Sequence, residues 1–149
     1  MTFVFMLLMA GASISQVIPV EPVTKGLFGG SQTMTLLGER NDAELTVVVI
    51  LGYPGHYGLR AGDYGIKNQT AMMMRNLIYR ERIKANVIIF DNPFPLKDVA
   101  ARSSSDHIER IESVIKFYSD KFRLPVWLFG HSDGSISVSE YLNKSDKTR

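Results

Sequence analysis

Three short runs of apolar and β-branched residues divide the chain into regular segments. They cover residues 45–51, 87–90 and 126–129. Continuous apolar character without alternation is typical of strands that are buried on both faces of a parallel sheet. We therefore predict three such strands, of which residues 45–51 form the clearest.

Between these runs, apolar side chains recur every three or four residues, which is the spacing of a helix. The clearest case has one face formed by Ile108, Ile111, Ile115, Tyr118 and Phe122. Asp106 begins this helix in a capping box with Glu109, and Pro125 stops it. Weaker patterns predict helices over residues 69–85 and 135–142.

The alternation of strands and helices with short connections indicates an α/β fold class. We predict a mostly parallel sheet with helices on both faces. Before it, strand-like residues 23–28 and 32–37 flank Gly29-Gly30 and suggest a hairpin. Ligands of such sheets bind at the carboxyl ends of the strands, where residues 52–56, 91–95 and 130–134 are expected to lie.

Composition narrows the classes of partner and chemistry. The 149 residues are 45% hydrophobic and 21% charged, as in an ordinary globular domain. The net charge is +2 and the charges are interspersed, so we expect no nucleic-acid partner. No cysteine is present, and no histidine or carboxylate shows the paired spacing of metal ligands, so we expect no metal and no cofactor. Nothing in the sequence specifies the oligomeric state.

The first fifteen residues differ from the rest. Residues 1–15 are almost wholly apolar and end in small side chains, and they resemble a secretory signal peptide, although no Lys or Arg precedes the apolar core. The apolar stretch is too short for a membrane span. We expect export to a periplasm or to the exterior if it is a signal, and a cytoplasmic protein if it is a short buried strand. A membrane-facing anchor is the other alternative. Residues 16–149 would form the domain.

The most informative motif is Gly130-His131-Ser132-Asp133-Gly134. It follows the last predicted strand directly and precedes a predicted helix. A serine hydroxyl is a poor nucleophile unless it is held clear of the surface beside a base, and a sharp strand-to-helix turn with glycines on either side does this. We interpret Ser132 as a catalytic nucleophile on such an elbow, with Gly130 and Gly134 as the elbow glycines. The alternative is a glycine-rich turn in which Ser132 only caps the helix.

Together with the loop at residues 51–55, this motif resembles the α/β-hydrolase superfamily over residues 44–142, which is the N-terminal half of that fold. The resemblance implies an oxyanion hole formed by the backbone N–H groups of Tyr53 and Asp133; Pro54 has no N–H to donate. It implies a serine hydrolase that acts on a small-molecule ester or related acyl substrate through an acyl-enzyme on Ser132, with no cofactor and no stable membrane span.

The family's triad continues along the chain with an acid and then a histidine. Only seventeen residues follow Ser132, and none is a histidine. Beyond the elbow, Glu140 and Asp146 are the only carboxylates, and Glu140 is expected on the helix that leads away from the site. We therefore expect the acid and the histidine beyond Arg149, and we expect the chain as given to be nearly inactive as a truncated hydrolase.

Three histidines occur earlier in the chain. His56 follows the loop at residues 51–55 and is a candidate substrate contact. A role as the catalytic base is a weaker alternative. We expect His107 to be a solvated residue in the first turn of its helix, and His131 to pack beside the elbow.

Two other functions remain to be compared with hydrolysis. A non-catalytic ligand-binding module would keep the cleft without the triad. A nucleotide-binding domain fits poorly, because residues 52–58 lack phosphate-loop spacing and contain a proline.

Overall fold

A five-stranded mixed sheet forms the centre of the described part of the chain. The computed structural model describes residues 16–23, 33–59 and 83–146. Its strands are β1 (Gln16–Val23), β2 (Thr33–Glu39), β3 (Leu45–Ile50), β4 (Ala85–Asp91) and β5 (Val126–Gly130). Their order across the sheet is β1-β2-β4-β3-β5. Strand β3 runs parallel to β4 and β5, whereas β2 runs antiparallel to β1 and β4. The fold class is therefore α/β.

The three apolar runs are confirmed as parallel strands, with ends that differ by one or two residues from those predicted. Every residue of β4 is buried, because both faces of the sheet are covered there. Val48, Ile50, Ile88 and Phe90 form one core with the helices, and we call this side the helical face. Val49, Val87 and Ile89 form a second core on the opposite face with Leu59. Burial of such side chains stabilises the fold by about 1.5 to 3 kcal/mol each.

The antiparallel start of the sheet agrees with the predicted hairpin only in part. Its second strand, Thr33–Glu39, overlaps the predicted one, but the first strand is Gln16–Val23, which the prediction missed. This strand contains Pro19 and Pro22, a residue type that is disfavoured inside a sheet. They are tolerated because β1 lies at the edge of the sheet, where a missing N–H breaks no central ladder. Residues 24–32 lie outside the described part of the chain.

Three helices are described, namely α1 (Val99–Arg102), α2 (Ser105–Phe122) and α3 (Gly134–Asp146). Helix α1 was not predicted. Helix α2 is confirmed, but its N-cap is Ser104, whose hydroxyl accepts a hydrogen bond from the His107 N–H. Asp106 instead pairs with Arg110 at 2.7 Å. The capping box that was predicted for Asp106 is therefore wrong.

Helices α2 and α3 both pack on the helical face. The helix predicted over residues 69–85 falls mostly outside the described residues, so helices on the second face stay a prediction. Its end is wrong, because Ile83 and Lys84 have no regular structure and Ala85 begins β4. Residues 1–15, predicted as a signal peptide, also lie outside. No helix within the described ranges is long and apolar enough to cross a membrane.

Parallel strands end at the same edge of a sheet. The carboxyl ends of β3, β4 and β5 therefore bring together the segments that follow them, residues 51–59, 92–98 and 131–133. We call this side the carboxyl edge. All three ligand segments predicted from the sequence lie along it.

Candidate active site

Ser132 lies at the carboxyl edge in a turn between β5 and α3. Its φ is 54°, in the left-handed region, which is unusual for a residue with a side chain and is unfavourable by roughly 1 to 3 kcal/mol. The turn is closed by hydrogen bonds from the Gly134 N–H to His131 O at 2.9 Å and from the Ser135 N–H to Ser132 O at 2.9 Å. The sequence context predicted for Ser132, a strand before it and a helix after it, is thus present, and the serine is exposed.

The two glycines of the motif are required by close packing. A Cβ on Gly134 would lie 2.0 Å from the carbonyl oxygen of Ile50, so the start of α3 contacts the end of β3 directly. A Cβ on Gly130 would lie 2.6 Å from the Cα of Ser135. Neither position has room for a side chain, and the turn can therefore be this sharp only with glycine at both sites.

A third glycine brings the loop after β3 against the serine. A Cβ on Gly52 would lie 2.9 Å from Cβ and 3.2 Å from Oγ of Ser132. The next residue, Tyr53, is 70% exposed. Within the described residues, neither the Tyr53 N–H nor the Asp133 N–H donates a hydrogen bond to another group of the chain. Two uncommitted backbone donors therefore belong to segments that meet at Ser132.

The loop is held in place by the segment after β4. The Asn92 N–H donates to Gly55 O at 3.0 Å, and the Leu96 N–H donates to Pro54 O at 2.8 Å. The buried carboxylate of Asp91 accepts the N–H groups of Tyr57 at 2.6 Å and Leu59 at 2.8 Å. Burial raises the pKa of Asp91, although these N–H groups oppose the shift. Backbone hydrogen bonds thus determine the course of residues 52–59.

His56, predicted as a substrate contact, is half-buried beside this loop. Its Nδ1 donates to the carbonyl oxygen of Asn92 at 2.7 Å and lies 3.9 Å from Oδ1 of Asp91. Because the carbonyl can only accept, Nδ1 carries the proton. The ring is thus anchored to the end of β4 rather than hydrogen-bonded to Ser132.

His107 is buried, with 1% of its surface exposed, so the predicted solvated position is wrong. Its Nδ1 lies 3.1 Å from Asn92 Oδ1 and its Nε2 lies 2.9 Å from the hydroxyl of Ser137. The Asn92 amide donates to Phe94 O, so its Oδ1 accepts from Nδ1 of His107. Nε2 is then the acceptor for the Ser137 hydroxyl, which itself accepts from Nη1 of Arg102 at 3.1 Å. Burial, followed by the charge of Arg102, lowers the pKa of His107 to about 4, and the ring is neutral.

The other polar residues of the prediction lie near the turn without such contacts. His131 is exposed, so its predicted packing beside the elbow is wrong, although its N–H donates to Ile50 O at 3.0 Å. Glu140 lies on α3, as expected.

Arg102 is a buried residue that the sequence interpretation missed. It is 2% exposed, and besides Ser137 its Nη1 reaches the carbonyl oxygen of Leu51 at 3.4 Å. Asp98 before an apolar stretch is an N-cap pattern, and it would have predicted α1. No sequence signal distinguishes Arg102 from an exposed arginine.

A cavity of about 120 Å³ opens beside Asp133 at the carboxyl edge. Its wall combines the apolar side chains of Leu96, Val99 and Ile136 with charged ones that include Arg102. Val99 of the cavity wall is exposed over more than half of its surface, as are Tyr53 and Phe94 in the segments that follow β3 and β4.

Within residues 16–23, 33–59 and 83–146, no three histidine, aspartate or glutamate side chains are grouped closely enough to hold a metal ion. Comparison with protein-family models and with curated proteins finds no match for this chain. Its function must therefore be inferred from its own residues and their geometry.

Proposed function

We propose that this chain carries the nucleophile of an α/β-hydrolase-type serine hydrolase that acts on carboxylic esters. The observation that supports this most directly is the left-handed backbone of Ser132 between β5 and α3. A serine that only caps a helix has an extended backbone, as Ser104 does at α2 with φ −64° and ψ 147°. The conformation of Ser132 differs, which argues against the simple capping role.

In the proposed reaction, the Ser132 hydroxyl attacks the carbonyl carbon of an ester and gives up its proton to a base. The tetrahedral oxyanion accepts hydrogen bonds from the N–H groups of Tyr53 and Asp133, each contributing about 3 kcal/mol. The alcohol leaves with a proton, and water then hydrolyses the acyl-enzyme to release the acid. Both donors belong to segments that contact Ser132 or adjoin it, and both are free of other partners in the described residues.

The cavity beside Asp133 suits the apolar part of such an ester. Leu96, Val99 and Ile136 supply an apolar wall. We expect the acid and the base of the triad to come from residues beyond Arg149. Both ring nitrogens of His107 and Nδ1 of His56 bond other partners, and within the described residues neither ring is hydrogen-bonded to Ser132.

The lack of a histidine bonded to Ser132 among the described residues also fits the second candidate, a non-catalytic ligand-binding module. Such a protein would bind an ester or carboxylic acid in the cavity and never acylate Ser132. The two functions differ in a single measurable event, which is the formation of a covalent bond to the Ser132 oxygen.

The test is reaction with a fluorophosphonate probe, followed by peptide mass spectrometry, in the full-length protein. The hydrolase proposal expects the label on Ser132, no label in Ser132→Ala, and unchanged labelling in Ser139→Ala, which removes another exposed serine on α3. A probe that modifies other residues while sparing Ser132 would refute the proposal. Reversible binding of esters without labelling or turnover would establish the binding module.

A further inference from the structure

Arg102 is a buried cation that forms no ion pair with any carboxylate of the described residues. Its Nη2 has no hydrogen-bond partner among these residues. The other buried arginine, Arg110, pairs with Asp106 and also donates to Thr33. Burial of a charge that has no ion pair is unfavourable for stability. The Asp133 carboxylate, which lies beyond ion-pair distance, offsets this cost only in part, and burial lowers the pKa of Arg102. Packing alone therefore gives no reason for an arginine at position 102.

The guanidinium lies between the two segments that meet at Ser132. Its Nη1 reaches Leu51 O at 3.4 Å, directly before the loop that carries Tyr53, and Ser137 Oγ at 3.1 Å in the first turns of α3. A Cβ on Gly55 would lie 3.5 Å from Nη2, so the loop folds closely over the guanidinium. One planar group thus contacts both segments.

A second connection joins the same segments. The hydroxyl of Ser137 donates to His107, His107 donates to the side chain of Asn92, and the Asn92 N–H donates to Gly55 O at 3.0 Å. Together with the contacts of Arg102 they form a closed circuit of hydrogen bonds. It begins at Ser137 in α3 and reaches the loop at Leu51 through Arg102 and at Gly55 through Asn92. Ser137 is fully buried and is shared by both connections.

We propose that Arg102 is a positioning residue that sets the separation and orientation of the Tyr53 and Asp133 N–H groups. The inference rests on the proposed function, in which both groups bind the oxyanion. Such donors must lie within hydrogen-bond distance of a single oxygen atom, and a shift of about 1 Å can lower the rate by about a hundredfold. Backbone donors cannot be adjusted by their own side chains, so a rigid group between the segments has to fix them.

The test uses Arg102→Met, which keeps a long chain without donors, and Arg102→Lys, which keeps the charge and one donor group. Arg110→Met is the matched control, because Arg110 is also buried, at 4% exposed against 2% for Arg102, and bonds Asp106 and Thr33. Ser137→Ala removes the hydroxyl that bonds both Arg102 and His107, and it is a smaller change. It replaces Arg102→Met in the test if that variant does not fold.

Two measurements are made on each variant. Amide hydrogen exchange, which needs no activity, should accelerate selectively at the hydrogen-bonded amides that hold the two segments, and less in Arg102→Lys than in Arg102→Met and Ser137→Ala. These amides are those of Asn92 and Leu96, which bond the loop, and those of His131, Gly134, Ser135 and Ile136 in the turn. Ester hydrolysis by the full-length protein should show kcat lowered by about a hundredfold with KM nearly unchanged, because the donors act in the transition state. Arg102→Lys should recover part of kcat.

Exchange that stays at the wild-type rate at the amides that hold both segments would overturn the inference, whatever the activity. Acceleration throughout the protein, as expected of Arg110→Met, would also overturn it, because Arg102 would then be a general stabilising residue. Selective acceleration in a protein whose Ser132 never reacts would support the positioning role of Arg102 while refuting the hydrolase proposal.

Discussion

Acidification should destabilise the protein through His107. The ring is 1% exposed and is neutral in a circuit that uses both nitrogens, with Nδ1–H donating to Asn92 and Nε2 accepting from Ser137. A second proton on Nε2 would replace an acceptor by a donor and would place a positive charge near Arg102 and Arg110, and the charge of Asp106 offsets this only in part. Protonation is therefore strongly disfavoured in the folded state.

The magnitude follows from the pKa values of the two states. The pKa of His107 falls from its ordinary 6.5 to about 4 on folding, so the unfolded chain binds the proton more tightly. The contribution is complete above pH 6.5, is lost progressively as the pH falls towards 4, and levels off below that. The full difference corresponds to about 3 kcal/mol in the free energy of unfolding, of which about 2 kcal/mol is lost at pH 5.

Urea unfolding followed by far-UV circular dichroism, repeated from pH 7.5 to pH 3.5, measures this loss. His107→Gln keeps a neutral donor and acceptor, so its stability curve should lack the fall. The difference between the two curves isolates His107 from Asp91, whose raised pKa acts in the opposite direction and stabilises the fold as the pH falls. His131→Gln, at an exposed histidine, should follow the wild-type curve. Parallel wild-type and His107→Gln curves would show that the ring is not held neutral and would refute the circuit.

Three further outcomes are expected. Ser132→Ala should abolish fluorophosphonate labelling and lower kcat for esters by about 10⁴-fold, while Ser139→Ala should match the wild type in the same assays. Gly134→Ala should lower the free energy of unfolding by about 3 kcal/mol in urea titrations, because the new Cβ would lie 2.0 Å from Ile50 O; an unchanged value would refute the close approach of α3 to β3. Tyr53→Ala should keep kcat within a few-fold, since the N–H remains, whereas Tyr53→Pro should lower it by about a hundredfold; equal effects in steady-state kinetics would exclude the N–H as a donor.

The parts of the fold that the sequence predicted are those in which local pattern and tertiary burial agree. Residues 45–50 are apolar or β-branched throughout, and such a run has few favourable places outside a buried strand. The turn around Ser132 was predictable because Gly130 and Gly134 satisfy a packing constraint that no other residue type meets. Strand β1 was missed because its two prolines are tolerated only at an edge, and edge position is decided by the whole sheet.

The polar part of the site could not be predicted in this way. Arg102 bonds residues that are 51 and 35 positions away, and His107 bonds Ser137, which is 30 positions away. A charged or ionisable side chain is exposed by default, and only the assembled fold supplies the partners that allow its burial. The residue type alone therefore led to the prediction that His107 is solvated, and it indicated no role for Arg102.

Three locally unfavourable features converge on one turn of the chain. Ser132 has a left-handed backbone, Arg102 is buried with no hydrogen-bond partner for Nη2 among the described residues, and the pKa of His107 is lowered to about 4. Elsewhere in the described residues such features occur singly: Arg123 has a left-handed backbone at the end of α2, and the Thr46 hydroxyl is buried without a hydrogen-bond partner. Proteins retain strain and buried polar groups mainly where function requires them. Ligand binding alone would require a cavity. It would not require an exposed serine with a strained backbone beside the two uncommitted N–H groups of Tyr53 and Asp133. That combination has a direct use in acyl transfer, and it favours the hydrolase over the binding module.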